Sequence, residues 1–175
     1  INIGLEGQFA VWVGTILDIN RPVVLVTKPG TEAEAILRMA RVGFEKVSGY
    51  LAGGFEAWAA AGKPVDHVAS ITPEEFASLS TDARHSILDV RKPGEVQSGF
   101  VKGAQLLPLQ ELAAQLNSID KSKECLVHCA GGYRSMVAVS ILKANGIHNV
   151  KNVYGGFGKI KNTDATIVVP VASMA

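Results

Sequence analysis

Residues 128–135 read HCAGGYRS. A cysteine, two glycines and an arginine stand between an apolar run, Cys125-Leu126-Val127, and a helical pattern that begins near Tyr133. Those residue types at that spacing suit an anion-binding loop with a nucleophile in it. If Cys129 ends a strand and a helix follows, the N–H groups of Ala130, Gly131, Gly132, Tyr133 and Arg134 converge in front of the helix N-terminus. Gly131 and Gly132 give the loop its backbone freedom, and Arg134 adds a full positive charge. All three features favour the thiolate, the form of cysteine that attacks. Phosphate-ester chemistry and sulfur-transfer chemistry both use such a loop, and they need different loop sizes.

The elements that must hold this loop can be read around it. SILDV, LVHC and NVKNVY are short apolar segments, separated by helical stretches near 108–118 and 133–145. That alternation predicts a parallel sheet with helices on its faces. Ligands in such sheets bind at the carboxyl ends of the strands. Asp89-Val90-Arg91 and His128-Cys129 both fall there. Thr72-Pro73-Glu74-Glu75 is a helix start with a capping-box pair and Pro at the first helical position.

Composition narrows the class. The chain has 175 residues, 47% apolar and 19% charged, with a net charge of +1 and interspersed signs. This is the make-up of a soluble globular protein, and it points to neither nucleic acid nor an acidic membrane surface as partner. No apolar run approaches the roughly 20 residues of a spanning helix. On one strand, Cys125 and Cys129 would lie about 13 Å apart, and a disulfide needs less than about 7 Å between Cα atoms. Two free thiols and a reducing, cytoplasmic setting are therefore expected. Two cysteines without a histidine cluster make no metal site.

The chain also repeats itself. GGFEAW at Gly53 matches GGFGKI at Gly155, and PVVLVT (22–27) matches ECLVHC (124–129). ILRMARVGFEKV (36–47) matches ILKANGIHNV (141–150), and INIGL (1–5) matches QLLPL (105–109), all in the same order at a nearly constant offset. Two copies of one unit are expected: residues 1–64, a linker at 65–70, and residues 71–175. The first copy lacks a counterpart of residues 71–104, so it reads as incomplete at its N-terminus. The chain is either a fragment or borrows another segment there. The tail ATIVVPV (165–171) is the candidate, although a strand serving its own domain is the stronger expectation. Aligning LVT (25–27) with LVH (126–128) puts Lys28 where Cys129 stands, in a loop with neither cysteine nor arginine that is about two residues shorter. Homodimerisation is one way to cover the open sheet edge.

Residues 71–160 resemble a rhodanese (sulfurtransferase) domain along their full length. The pieces that carry the resemblance are Asp89-Val90-Arg91 with Glu95, Gly103-Ala104, the C-x-x-G-x-R loop from Cys129 to Arg134, and the closing turn Gly155-Gly156-Phe157. The resemblance implies a sulfane-sulfur carrier. The Cys129 thiolate takes the outer sulfur of thiosulfate or a persulfide, holds it as Cys–S–S⁻, and passes it to a thiol or cyanide. It implies no cofactor and no metal. Phosphatases and arsenate reductases of this fold use C-x5-R, whereas four residues separate Cys129 from Arg134, which favours sulfur. Arg134 is expected to build the loop and attract an anionic donor, Asp89 to organise its floor, and Arg91 and Glu95 to form a structural ion pair. His128 should point away from the nucleophile, and Cys125 should be core. Phe100 stands where the family often has histidine.

The first copy resembles a degenerate rhodanese domain, with packing and positioning as its role. INIGLEGQFAVWVG, RVGFEKVSGYLAGGFEAW and VHCAGGYRSM further resemble the rhodanese portion of bacterial metallo-β-lactamase-fold–rhodanese fusion proteins. That likeness implies an upstream metallo-β-lactamase-fold domain as partner, and a start at Ile1 fits it. No H-x-H-x-D-H occurs in this chain, so no metal chemistry falls to its residues. A non-enzymatic sulfur-relay or regulatory module for such a domain is the alternative function.

Overall fold

The structure is a computed structural model that describes residues 1–170. The remaining residues, Val171 of the tail included, lie outside the described residues. The chain divides into two compact units, one of residues 3–67 and one running from Val68 onward with Ile1–Asn2.

Residues 3–67 follow the order α1 (Phe9–Ile16), β1 (Val23–Leu25), α2 (Glu32–Ala40), β2 (Val47–Tyr50) and α3 (Gly54–Ala60). β1 and β2 pair in parallel. One face of this two-stranded sheet meets a small core of Phe9, Val13, Ala35, Met39 and Phe44, against which Val23, Leu25 and Val47 pack. Strand side chains alternate, so Val24, Val26 and Tyr50 face the other way and are exposed.

The second unit opens with β3 (Ser70–Ile71), α4 (Pro73–Leu79), β4 (His85–Asp89), α5 (Pro93–Val96), β5 (Phe100–Val101) and β6 (Gln105–Leu106). It continues with α6 (Leu109–Leu112), β7 (Glu124–His128), α7 (Tyr133–Ala144), β8 (Val150–Val153), α8 (Gly156–Ile160) and β9 (Ile167–Val168). Five strands form one parallel sheet in the order β3-β8-β7-β4-β6. The fold is mixed α/β, a mostly parallel sheet flanked by helices. Alternation along β7 sends Leu126 and His128 to one face. There Leu126 joins Ile71, Phe76, Ile87, Val153, Phe157 and Ile160 in a buried cluster. Cys125, Val127 and then Cys129 take the opposite face by the same period.

Three expectations need correction. Ser70 is not linker: it enters β3, held by the Asn152 N–H donating to the Ala69 carbonyl at 2.9 Å. The stretch 108–118 is not one helix. α6 stops after Leu112, and a 3-10 turn follows at Leu116–Ser118, where the Ser118 hydroxyl donates to the Gln115 carbonyl and competes with helical bonding. The helical spacing of buried Leu109, Leu112 and Ile119 survives the break, which is why the sequence reads as helix. The third correction concerns the repeat, described with the site below. The tail strand β9 pairs antiparallel with β5 inside its own unit, as the stronger reading has it.

The helix start at Thr72 forms as expected. Its hydroxyl accepts from the Glu75 N–H at 3.1 Å, and the Glu75 carboxylate accepts from the Thr72 N–H at 2.8 Å. Thr72→Ala is expected to cost about 1 kcal/mol. Urea denaturation checks this; an unchanged midpoint would show that the cap contributes nothing.

Candidate active site

Three strand ends and one helix start converge on the loop. β7 delivers Cys129, β4 delivers Asp89, β8 leads into Gly155-Gly156, and α7 begins at Tyr133 directly behind the loop. Gly132 caps α7 with a φ of +105°, a conformation that asks for glycine. This geometry aims the Gly132 N–H at the Cys129 sulfur, with N to Sγ at 3.1 Å. The Cys129 Sγ lies 3.6 Å from the Ser135 hydroxyl, which itself donates to the Gly132 carbonyl at 3.0 Å. Ser135 is fully buried on the inward side of the first turn of α7. Sequence reasoning stopped at Arg134 and missed it; the available signal was a small hydroxyl residue one step further into the helix.

The closing glycine turn grips the loop from the other side. The Phe157 N–H donates to the Cys129 carbonyl at 2.6 Å, and the Gly158 N–H to the Ala130 carbonyl at 3.0 Å. Gly155 and Gly156 have φ of +72° and +56°, and a Cβ at Gly156 would stand 2.4 Å from the Cys129 carbonyl oxygen. Only glycine lets the two backbones approach this closely.

The charged residues pair differently from expectation. Arg91 does not pair with the Glu95 carboxylate. Its Nε and Nη2 donate to Asp89 at 2.6 to 2.9 Å, and Nη2 also donates to the Gly99 carbonyl. Both side chains are buried, and the guanidinium lies 3.8 Å from the Phe157 ring centre. The Asp89–Arg91 pair thus sits under the aromatic residue whose N–H holds the loop. Glu95 pairs instead with Arg134, each carboxylate oxygen accepting one Nη at 2.6 Å. Glu95 also accepts from the Lys92 N–H at 2.9 Å. The Arg134 hydrogen bonds, helped by the Lys92 N–H, hold the Glu95 carboxyl down to about 2, so the carboxylate stays ionised wherever thiolate chemistry runs. Arg134 is raised by the same bond.

His128 is wholly buried between Phe76 and Phe157, on the face away from Cys129. Burial lowers its pKa against the pull of Asp89, so the ring is neutral near pH 7. At 3.8 Å with a neutral imidazole, its contact with Asp89 is neither an ion pair nor a hydrogen bond. Cys125 is a free buried thiol, pushed up to about 11 by burial. Cys129 is free too. Phe100 lies in β5. Among the described residues, no three His, Cys, Asp or Glu groups stand close enough to hold a metal ion, and no helix is long and apolar enough to cross a membrane.

If residues 3–67 are aligned as a repeat by strand register, the place matching Cys129 belongs to Thr27, not Lys28. Val24 and Leu25 pair with Gly49 and Tyr50, as Leu126 and Val127 pair with Lys151 and Asn152. A Cβ on Gly54 would stand 2.3 Å from the Thr27 carbonyl oxygen, mirroring Gly156 and Cys129. The shared Leu-Val letters misplace the alignment by one residue, and in a strand one residue reverses every face. Thr27 is five positions ahead of α2, whereas Cys129 is four ahead of α7. The first-copy loop is therefore not shorter up to its helix.

A family model described as "Rhodanese-like domain" matches residues 72–163 and leaves residues 1–71 outside. Among curated proteins, the chain is 35% identical over 96 residues to "Uncharacterized protein YqhL" of Bacillus subtilis, covering 53% of this chain and 75% of that protein. It is 28% identical over 104 residues to "Sulfurtransferase" of Allochromatium vinosum, covering 59% of this chain and 97% of that protein. Among solved structures, a rhodanese-like domain protein from Staphylococcus aureus superposes with a TM-score of 0.54 at 32% identity, over 59% of this chain and all of that one.

Proposed function

The chain belongs to the rhodanese-like domain family, and from that premise we propose that it is a sulfurtransferase carrying sulfane sulfur on Cys129. The observation that carries the reading is the Gly132 N–H donating to Sγ at a strand end with α7 behind it. A sulfur that takes up negative charge at this point meets an oriented donor. In the first half-reaction the Cys129 thiolate attacks the outer sulfur of thiosulfate. A new S–S bond forms, the bond from that sulfur to the sulfonate breaks, and sulfite leaves with the electron pair. In the second, cyanide or a thiolate attacks the outer sulfur of Cys–S–S⁻. Thiocyanate or a new persulfide departs, and the Cys129 thiolate returns. Every step is an electron-pair displacement at the transferred sulfur, so the chemistry itself calls for no redox cofactor or metal.

Ala130, Gly131, Gly132, Tyr133 and Arg134 form the donor-binding loop in this reading, with Asp89 and Arg91 as its floor. The loop's four-residue span from Cys129 to Arg134 supports sulfur over phosphate. Residues 3–67 are read as a copy of the second half of the same unit without its nucleophile, because Thr27 cannot supply a thiolate. Their helix–strand–helix–strand–helix order and Gly53-Gly54 turn support that descent.

Incubation with thiosulfate followed by intact-mass and peptide analysis tests the proposal. One extra sulfur on the Cys129 peptide, removed by cyanide, is the expected result. Turnover of an aryl phosphate with no sulfur bound to Cys129 would replace this reading with a phosphatase.

A further inference from the structure

Both guanidinium groups beside the loop are already matched by carboxylates. Asp89 and Arg91 are sealed beneath Phe157. The Glu95–Arg134 pair is different, since its side chains keep 35% and 14% of their exposure. It therefore stays within reach of solvent beside the loop. Glu95 is tied down twice, by the Lys92 N–H at the start of α5 and by the two Nη groups. Arg134 stands on the first turn of α7. Its fork is turned to the Glu95 carboxylate, which takes one Nη on each oxygen.

The charges then decide which donors the site accepts. With Cys129 in the attacking thiolate form and His128 neutral, the Asp89–Arg91 and Glu95–Arg134 pairs each sum to zero, so neither arginine offers the nucleophile an unmatched positive charge. Thiosulfate brings two negative charges toward it, and a thiol persulfide brings at most one. An unpaired arginine would offset that repulsion; an arginine held by a carboxylate at 2.6 Å offsets little of it. We propose, resting on the Cys129 carrier reading, that Glu95 is a specificity-determining residue, which by neutralising Arg134 turns the site from dianionic donors toward thiol persulfides.

Steady-state kinetics with thiosulfate and with cysteine persulfide, on the whole chain, test this. Glu95→Gln is expected to lower the KM for thiosulfate about tenfold with kcat little moved, so the thiosulfate-to-persulfide ratio of kcat/KM rises by a similar factor. Glu95→Asp keeps the charge and should keep the ratio near wild type. Equal losses on both donors in both variants would show that Glu95 only builds the loop, and overturn the proposal. An independent measurement needs no variant. For the wild type, raising ionic strength should lower the thiosulfate KM, because salt screens a net repulsion; a KM that climbs with salt overturns the idea. Failure of the carrier reading is visible separately, as sulfur transfer that survives Cys129→Ser.

Discussion

Cys129→Ser is expected to abolish sulfur transfer, with kcat/KM for thiosulfate and cyanide falling by a factor on the order of 10³ to 10⁶. The size follows from the covalent step. A serine hydroxyl is not ionised near neutral pH and forms no persulfide, so both half-reactions lose their intermediate. The fold should be untouched, because an oxygen at the Sγ position keeps the Gly132 N–H and the Ser135 hydroxyl within reach. The matched control is Cys125→Ser. That thiol is buried and raised to about 11, so its loss should leave turnover near wild type. Its cost is one of stability, no more than about 1–3 kcal/mol, because the new hydroxyl is buried but keeps the Ser86 side chain as a hydrogen-bonding neighbour. Thiocyanate formation and thermal melts on both variants separate the outcomes. A Cys129→Ser protein that turns over at more than a few per cent of wild type would remove Cys129 from the chemistry.

The parts of this site that were legible in the sequence are those that lie side by side in it. Cys129, its glycines, Arg134 and the helix start at Tyr133 are contiguous, and strand-end geometry follows from the apolar run before them. β4, β7, β8 and α4 were readable for the same reason: each carries its period, cap or turn within a few residues. What failed was partner choice. Arg91 and Glu95 are four apart, and that closeness suggested a pair; the fold gives Arg91 to Asp89, two residues away along the chain, and Glu95 to Arg134, 39 residues away. Burial decides it, since a fully buried carboxylate such as Asp89 must have a cation or lose its charge. The register of the first copy failed on a different ground. Letter identity placed Lys28 at the nucleophile's position, whereas face parity, with Leu25 inward and Val24 and Val26 outward, places Thr27 there.

The same parity marks a difference between the two segments that the proposed repeat aligns. Val24, Val26 and Tyr50 are exposed, and their counterparts Leu126, His128 and Asn152 are buried. In the second unit, Phe76 of α4 and Ile87 of β4 lie on that face of the sheet. Both belong to the stretch 71–104 that has no counterpart among residues 3–67. The loop from Cys129 to Arg134 depends on contacts from α5, α7 and α8 together.

Gly156→Ala is expected to damage that dependence more than any other single methyl group. The residue has a φ of +56°, where a Cβ costs about 1–2 kcal/mol. The added carbon would meet the Cys129 carbonyl oxygen at 2.4 Å and the Ala130 carbonyl carbon at 2.8 Å, both backbone atoms that no side-chain rotation can move. Overpacking of this kind adds about 1–3 kcal/mol. Together these predict a loss of roughly 2–5 kcal/mol, within the 5–15 kcal/mol that holds a typical domain, so the protein still folds. Relief must come by pushing the loop away from α8, which strains the Phe157 and Gly158 hydrogen bonds and shifts Sγ. A displacement near 1 Å costs about 10²-fold in rate. Gly131→Ala is the control, because nothing lies within 4 Å of its Cβ and its φ is not positive. Gly54→Ala probes the copy: its Cβ would meet the Thr27 carbonyl at 2.3 Å, so stability should fall while sulfur transfer at folding temperatures persists. Thermal melts and turnover on the three variants check the set. If Gly156→Ala behaves like Gly131→Ala, the closing turn does not hold the loop, and if Gly54→Ala also stops sulfur transfer, residues 3–67 take part in the chemistry without a nucleophile of their own.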